Sequence, residues 1–292
     1  MEIRQLITFI RVVQFQSFTR AAASLGYSQS AVTIQIKNLE EELGIHLFDR
    51  IGKSVTLTTQ GELFLSHAYN ILNEINRAKV ALDETKELKG SLKIGTVESL
   101  CFSRLPPILN RMRELHPGVS FQIKATTPED ALSLMEHNEI DLAYILDDAH
   151  YNSKWHKALE VKEDIVFVCS PHYEITRQVE IKVVQLLKYP FLLTEQEASY
   201  HKKLDQMLAS KNLLLEPFLE ISNTEFIIKM LNSAEGISLL PYFTVEKHIR
   251  EGRLALLDVA DLKISMYRQI FYHKEKWVTA EMLEFIRLAC EM

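Results

Sequence analysis

Apolar side chains recur three and four residues apart through the first 43 positions of this 292-residue chain. That spacing gives a helix one buried face, so it predicts three short helices in succession. Their apolar positions are Leu6, Phe9, Ile10 and Val13, then Ala21, Ala22 and Leu25, then Val32, Ile36, Leu39 and Leu43. Gly44 follows the third helix and is expected to end it. Residues 51–58 then alternate between apolar and polar side chains, which predicts a small hairpin.

Polar caps and a glycine separate the second predicted helix from the third. Ser17 and Ser28 stand where a hydroxyl accepts a hydrogen bond from an orphaned N–H group at a helix start. Gly26 stands where a helix end favours a positive φ. Two short helices joined by so tight a turn are typical of proteins that place the second helix in the major groove of DNA. The alternative is a three-helix bundle whose polar face only meets water.

The side chains expected to contact DNA carry amide, hydroxyl and cationic groups, which bind base edges and phosphates. They are Thr19, Arg20, Ser28, Gln29, Ser30, Thr33, Gln35 and Lys37 around the turn, with Arg50 and Lys53 at the hairpin. A hairpin with two cations at its tip is predicted to act as a wing against the phosphate backbone or the minor groove.

A further apolar pattern runs through residues 62–88, a stretch without Pro or Gly. Intervals of four and three separate its apolar positions, which are Phe64, Ala68, Ile71, Ile75, Ala78 and Leu82. This is a heptad seam, which two copies of one long helix would bury between them as a homodimer. The alternative is that the stripe packs on its own N-terminal domain. Gly90 is expected to end the helix and to mark a hinge.

Beyond Gly90, short apolar runs alternate with helical segments, which is typical of an α/β fold. Strands are predicted at residues 92–97, 119–125, 142–145, 165–169, 191–193, 219–221, 237–240 and 269–272. Helices are predicted from about residue 103, at 130–138 and at 279–290. The order of these segments indicates two lobes, with the chain crossing between them near residues 161 and 267.

Residues with hydroxyl groups follow several of these strands. Ligands of open α/β sheets bind at the carboxyl ends of strands, where helix N-termini offer free N–H groups. The candidate contacts for a small polar or anionic ligand are Ser99, Leu100, Thr127, Thr194, Ser199 and Ser222. Helix capping alone also explains each Ser and Thr. Glu98 and Glu195 near the same cleft would repel an anion unless they face outward or are neutralised, and His201 could supply positive charge.

The distribution of charge limits how one N-terminal domain can bind DNA. The chain has a formal net charge of −6, and its first 60 residues hold six Lys and Arg against five Asp and Glu. Attraction to phosphates should therefore be modest, so tight binding would need several such domains on one DNA.

Other classes of protein are less compatible with this composition. No apolar run reaches the length of a membrane helix, and the N-terminus lacks a signal-peptide pattern, so a cytoplasmic location is expected. Three scattered cysteines are too few for a disulfide framework or a zinc site. No cofactor and no metal are expected.

The N-terminal residues also form a series of motifs. They are Ser17-Phe18-Thr19-Arg20-Ala21-Ala22, Leu25, Ser28-Gln29-Ser30-Ala31-Val32-Thr33, Ile36-Lys37-Asn38-Leu39-Glu40, Leu43-Gly44, Leu47-Phe48-Asp49-Arg50 and Leu57-Thr58-Thr59-Gln60-Gly61. These motifs resemble those of the LysR-type transcriptional regulators. Three positions depart from the family's usual pattern. Ser30 and Thr59 stand where proline is usual or frequent, and Ile34 stands where a polar or basic side chain is usual. An isoleucine there could contact a thymine methyl group or face away from DNA.

The resemblance implies an α/β multidomain protein in three parts. These are a winged helix-turn-helix DNA-binding domain over residues 1–61, a linker and dimerisation helix over 62–89, and an effector domain over 90–292 that resembles periplasmic binding proteins. Lobe I of that domain would span about 90–161 and 267–292, and lobe II about 162–266. Inducer contacts are implied at Ser99, Thr127, Thr194 and Ser199.

The resulting hypothesis is a transcriptional regulator, not an enzyme, whose action on DNA is controlled by a small effector between the lobes. Its expected partners are a pseudo-palindromic double-stranded operator, the effector and further copies of the chain, as a homodimer and then a homotetramer; contact with RNA polymerase stays open. The alternative is an α/β enzyme with an appended nucleic-acid module, but no Gly-rich phosphate loop, metal spacing or nucleophile elbow is present. A solute-scavenging binding protein is disfavoured by the extra N-terminal domain.

Overall fold

The computed structural model describes residues 1–51, 54–82, 88–233 and 236–292, which divide into two compact units. The first contains Met1–Lys86 and His273–Leu283, and the second contains Glu87–Tyr272 and Glu284–Met292. Residues 273–283 are thus grouped with the N-terminal part, whereas the sequence placed them in lobe I. None of the described helices combines the length and apolar character that a membrane span needs.

The first unit is a helical bundle with a hairpin and a long helix. Its elements are α1 (Ile3–Phe15), α2 (Phe18–Leu25), α3 (Gln29–Leu43), β1 (Phe48–Ile51), β2 (Ser54–Leu57) and α4 (Thr59–Leu82). β1 and β2 pair antiparallel from Phe48 opposite Leu57 to Ile51 opposite Ser54, so the predicted hairpin is confirmed.

The core of this unit is built from the predicted helical faces. Val32, Ile36 and Leu39 of α3 are fully buried, as is Phe9 of α1. The ring of Phe9 lies 5.3 Å from that of Phe48, so α1 is packed directly against the hairpin. These contacts fix the position of α3, because one face of that helix is held by the core and the other is left free.

The apolar stripe of α4 packs within its own unit. Ala68 is completely buried in the core, and Phe64, Ile71 and Ile75 are partly buried against it. The prediction of a free seam is therefore wrong over these four positions, and the alternative of packing on its own domain is correct there. A heptad pattern indicates only that one face of a helix is covered. It is therefore compatible with a second copy of the helix and with packing on the same domain. Ala78 is exposed, and the Leu82 side chain lies outside the described residues.

Residues 273–283 join the first unit through a buried asparagine on α4. The Asn73 carbonyl oxygen accepts a hydrogen bond from the backbone N–H of Val278 at 3.0 Å, and its amide donates to the carbonyl of Lys276 at 3.4 Å. Val278 and Met282 are buried beside them. The sequence around Asn73 does not indicate that its partners are Lys276 and Val278, about 200 residues later in the chain.

The second unit is an α/β domain. Its elements are β3 (Lys89–Thr96), α5 (Glu98–Ser103), α6 (Leu105–Leu115), β4 (Gly118–Ala125), α7 (Pro128–Glu136), β5 (Leu142–Asp147), β6 (Trp155–Cys169), a 3-10 turn (Glu174–Arg177), α8 (Val183–Leu186), β7 (Leu192–Leu193), α9 (Ser199–Ser210), β8 (Leu219–Glu220), α10 (Thr224–Ser233), β9 (Ile237–Pro241), α11 (Tyr242–Arg250), β10 (Ala255–Leu257), β11 (Ile264–His273) and α12 (Ala280–Cys290), whose first turn is grouped with the first unit.

Two long strands connect the two lobes of this domain. The main sheet has the order β10-β6-β11-β5-β3-β4, and β9 also pairs with β6. β3 is parallel to β4 and β5, whereas β11 is antiparallel to β5. The second half of β6 pairs antiparallel with β9 and β10. β6 and β11 therefore form the two crossings that the sequence predicted.

Two boundaries differ from the sequence expectation. Gly90 does not end the linker helix, because it lies inside β3 opposite Val119 of β4. The helix expected from about residue 103 is preceded by a separate helix, α5, which already begins at Glu98. The N-cap of α5 is Val97, whose side chain makes no capping hydrogen bond, so the usual polar signal of a helix start is missing there.

Candidate functional site

Side-chain caps mark the starts of α2 and α3. Ser17 Oγ accepts a hydrogen bond from the backbone N–H of Arg20 at 3.3 Å, and Ser28 Oγ accepts from Ala31 at 3.2 Å. Gly26 between the helices has φ +69°. Both predicted caps and the predicted glycine turn are confirmed. Local hydrogen bonds therefore define where α2 and α3 begin, and Gly26 ends α2.

The exposed face of α3 carries four of the ten residues predicted to contact DNA, together with Ile34. Gln29, Ser30, Ile34 and Lys37 are exposed, and Thr33 is half-buried. At 3.6 residues per turn, Ser30, Ile34 and Lys37 share one side of the helix. The isoleucine is thus at the centre of the face, and 58% of its surface is accessible.

Several of these side chains already have partners within the unit. Thr19 Oγ1 donates to Gln29 Oε1 at 3.1 Å, and the Ser28 and Ser30 hydroxyl oxygens are 2.9 Å apart. Thr33 Oγ1 donates to the carbonyl of Gln29 at 2.9 Å. These contacts form two small groups, Thr19–Gln29–Thr33 and Ser28–Ser30, which lie at the start of α2 and the start of α3.

Arg20, Lys37 and Gln35, also predicted to contact DNA, each have a different neighbour in the first unit. The guanidinium of Arg20 lies 5.4 Å from the ring centre of Phe15, and Lys37 Nζ lies 3.4 Å from Glu41 Oε1. Gln35 is turned toward α1, where its Oε1 accepts from Thr8 Oγ1 at 2.6 Å, so it is not part of the exposed face. The Arg50 side chain and all of Lys53 lie outside the described residues.

A cleft in the second unit brings together five of the six residues predicted to bind an effector. Its volume is about 300 Å³, and its lining includes Ser99, Thr127, Thr194, Ser199 and Ser222. Leu100, the sixth, is fully buried in the core and is not part of the wall. Leu100 lies in α5, and a leucine side chain is more stable in the core than in a water-filled cleft.

The hydroxyl groups of the cleft differ in how they are held. Thr127 is the N-cap of α7, where its Oγ1 accepts from the Asp130 N–H at 3.1 Å. Ser199 is the first residue of α9, and Ser222 is exposed. Thr194 is only 4% exposed, and no described residue makes a well-aligned hydrogen bond to its Oγ1. Capping explains Thr127, whereas it does not explain Thr194.

Glu98 connects two helices across the cleft. Its carboxylate accepts hydrogen bonds from the backbone N–H of Thr224 at 3.0 Å and from the Thr224 hydroxyl. Burial is the main cause of a raised pKa for Glu98, opposed by the bonds from Thr224 and supported by nearby Glu225 and Glu195. The carboxylate thus lies at the N-terminus of α10, where the helix dipole favours negative charge.

Other residues of the cleft wall have no clear signal in the sequence. Tyr200 is 5% exposed, and burial raises the pKa of its phenol, which the neighbouring Thr194 side chain partly offsets. His201, considered above as a source of positive charge, is buried outside the lining, with Nδ1 2.6 Å from the carbonyl oxygen of Thr194. Glu197 also lines the cleft. In the part of the chain that the structure describes, no group of His, Cys, Asp and Glu is arranged to hold a metal ion.

The two crossing strands are connected by a buried ion pair. Arg268 on β11 donates from Nε to Glu163 Oε1 on β6 at 2.7 Å, and from Nη1 to the Tyr144 hydroxyl at 2.9 Å and the Ala289 carbonyl at 3.2 Å. The arginine side chain is only 3% exposed. This network joins both connecting strands to β5 and α12.

Two family models match the chain. The model described as bacterial regulatory helix-turn-helix protein, lysR family, matches residues 3–62, and the model of the LysR substrate binding domain matches residues 85–291. The chain belongs to the LysR family of bacterial regulators. Relatives of this LysR-family protein include the HTH-type transcriptional regulator YwqM of Bacillus subtilis, 34% identical over 99% of this chain and 98% of the relative.

Other comparisons agree with this assignment. The HTH-type transcriptional regulator CfxR of Cupriavidus necator is 31% identical over 94% of this chain and 86% of its own length. The solved structure of Vibrio fischeri DarR in complex with DNA has a TM-score of 0.57 at 19% identity and covers 100% of this chain and 99% of DarR, which supports the fold. This LysR-family protein is therefore a DNA-binding transcriptional regulator with an effector-binding domain, not an enzyme. Regulators of this family bind DNA and small effector molecules and form oligomers.

Proposed function

We propose that the exposed face of α3 reads base edges in the major groove. The observation that carries this proposal is the set of short polar side chains, held by two helix caps, on the face that the core leaves free. Arg20, Thr19 and the start of α3 contact phosphates and bases together, since Thr19 and Gln29 are already joined. Arg50 and Lys53 remain predicted wing contacts.

Ile34 has a specific role in this proposal. It is exposed among Ser30 and Lys37, so it would enter the groove with them. An apolar side chain in the major groove is complementary to the C5-methyl group of thymine. The preferred operator should therefore contain a T·A pair opposite Ile34.

Ile34→Glu is expected to weaken operator binding at least tenfold, about 1.4 kcal/mol, without unfolding the protein. The new carboxylate would meet phosphates and acceptor edges, and the exposed position tolerates a polar side chain. A duplex selected from a random library by the wild-type protein is titrated in a gel shift at fixed salt concentration.

The matched control is Ile3→Glu, which adds the same charge to the same unit at a position that is 48% exposed. Ile3 is two residues from Met1, whose amino group pairs with Glu42 near the C-terminal end of α3. Normal binding by Ile3→Glu with lost binding by Ile34→Glu supports the α3 face, whereas equal binding by both variants contradicts it.

We further propose that two copies associate through α4 and that dimers pair into a tetramer on a pseudo-palindromic operator. One domain with a near-neutral charge binds phosphates weakly, and two recognition helices can read two half-sites. Because Phe64 and Ala68 belong to the unit's own core, the contact would use the exposed side of α4 instead. That side carries Leu63, which is 65% exposed, next to His67 and Asn70.

Leu63→Glu should weaken self-association at least tenfold, because a buried carboxylate at the contact has no counter-ion there. Sedimentation equilibrium of the full chain measures this effect. Leu214→Glu, at a leucine 79% exposed in the second unit, is the control and should leave the association constant unchanged. If both variants associate like the wild type, α4 is not the contact.

The cleft of the second unit is the proposed effector site. Ser99, Thr127, Thr194 and Ser199 surround one cavity whose size is at the lower end of the range for small-molecule sites. A bound molecule would contact both sides of the cleft and favour one relative position of the lobes. It can shift that equilibrium only by the difference between its affinities for the two states.

A further inference from the structure

The charged side chains that line the effector cleft all have the same sign. Within the described residues they are Glu98, Glu195 and Glu197, and no Lys, Arg or His is part of that wall. None of the three carboxylates forms an ion pair with another described residue. A carboxylate or phosphate ligand would therefore enter a cavity that offers three negative charges and no cation.

Glu98 cannot turn away from the cleft without losing its contacts. Both of its carboxylate oxygens accept hydrogen bonds from Thr224, one from the backbone N–H and one from the hydroxyl. The same contact occupies the first N–H group of α10, so this helix end is not free to bind an anion. Burial, and then Glu225 and Glu195, raise the pKa of Glu98 against the effect of the Thr224 bonds, so a bound cation would supply the counter-charge that this carboxylate lacks.

A buried hydroxyl in the same wall is available to bind a ligand. Thr194 Oγ1 is buried and lacks a well-aligned partner among the described residues, although it lines the cavity. A threonine oxygen can accept a bond from an N–H donor. The wall also has apolar residues, which include Val97, Ala125, Pro128 and Leu146. Such a wall suits a short hydrocarbon chain beside a charged group.

The groove that continues from this cleft is also rich in carboxylates. A neighbouring cavity of about 650 Å³ shares Thr127, Pro128, Glu197 and Ser199 with it. Its other charged residues are Glu129, Glu136, Asp147 and Asp148 against His150, Lys202 and Lys203. His150 Nε2 is 2.7 Å from Asp147 Oδ2, and Lys203 Nζ is 3.0 Å from Asp148 Oδ2. Two of the three basic groups are thus already paired, and the groove keeps an excess of negative charge.

We propose that the effector of this cleft carries a protonated primary amine or a guanidinium group, which binds between Glu98 and Glu195 and donates to Thr194. The proposal rests on the assignment of this cleft as the effector site and replaces the expectation of an anion. Charge-assisted hydrogen bonds to carboxylates are the strong class of contact for such a cation. The small volume limits the buried part of the ligand to a few carbon atoms next to the charged nitrogen.

The test uses the full chain and two matched series of small probes. Putrescine, agmatine and arginine are the amines and guanidines, and succinate, glutarate and malate are the carboxylates, all at one ionic strength. Thermal unfolding and isothermal titration are measured for each. At least one cation should raise Tm by about 2 °C or more, and the carboxylates should leave it unchanged.

Variants of the acidic wall distinguish the cleft from the rest of the surface. E195Q alters an exposed side chain and should fold normally; it should weaken binding of the cation at least tenfold, and E98Q/E195Q should weaken it further. E220Q/E251Q removes two exposed carboxylates elsewhere and should have no effect. The proposal is overturned if a carboxylate binds to the wild type and Thr194→Val abolishes that binding. It is also overturned if every cation binds to E195Q as tightly as to the wild type.

The regulatory role of the cleft is measured separately. The cation that binds is added to the gel shift with the selected duplex. A cation that binds through Glu195 and leaves the DNA complex unchanged supports the ligand class and contradicts the effector role. A carboxylate that binds and changes the DNA complex contradicts the ligand class and supports the effector role.

Discussion

Arg268→Met is expected to destabilise the effector domain by about 3–5 kcal/mol, because it removes one partner of a buried ion pair. The Glu163 carboxylate would keep only the more distant Arg104 Nη2, at 4.0 Å, as a cation among the described residues, and Tyr144 and the Ala289 carbonyl would each lose a hydrogen bond. The domain as a whole is expected to be stable by only about 5–15 kcal/mol, so the loss is a large fraction of it. Chemical denaturation of the full chain, followed by circular dichroism, measures the free energy of unfolding.

Two further variants separate the buried charge from other effects of the substitution. Arg250→Met breaks an exposed pair with Glu246 on α11 and should cost less than about 1 kcal/mol. Glu163→Leu added to Arg268→Met should recover part of the stability, because the carboxylate that lost its closest cation is then gone. If Arg268→Met costs no more than Arg250→Met, the buried pair does not hold β6 against β11.

The first unit could be predicted closely because its signals are local. A serine at each helix start and a glycine at the turn act within three or four residues, and the structure contains both serine hydrogen bonds and the positive φ of Gly26. The same locality failed at α5, where Val97 precedes the helix and no polar cap is available. A helix start without a cap is stabilised by tertiary packing, which a window of sequence does not contain.

Contacts between distant residues could not be read from the sequence. Asn73 binds the backbone of Val278, 205 positions away. The apolar spacing of α4 gives the position of its covered face but not the identity of what covers it. The sequence therefore predicts a second copy at Ala68, whereas Ala68 is buried in its own unit. The cleft shows the same limit. Strand ends located Ser99, Thr127, Thr194 and Ser199, whereas the Glu98–Thr224 contact depends on how the two lobes are arranged.

Phe9→Ala is expected to destabilise the first unit by about 3–5 kcal/mol and to abolish DNA binding while the effector domain stays folded. Phe9 is fully buried, and its ring lies 5.3 Å from those of both Phe48 and Phe64, so one side chain joins α1, the hairpin and α4. Its removal leaves a cavity and two lost ring contacts, each worth about 0.5–1.5 kcal/mol beyond buried area. Hydrogen exchange read by mass spectrometry should show lost protection in α1–α3 and unchanged protection in β3–β5.

Phe218→Ala, at a phenylalanine 71% exposed in the second unit, is the matched control and should change neither the stability of the first unit nor DNA binding. Wild-type protection of α3 in Phe9→Ala would mean that the recognition helix is held by its caps and not by this aromatic cluster.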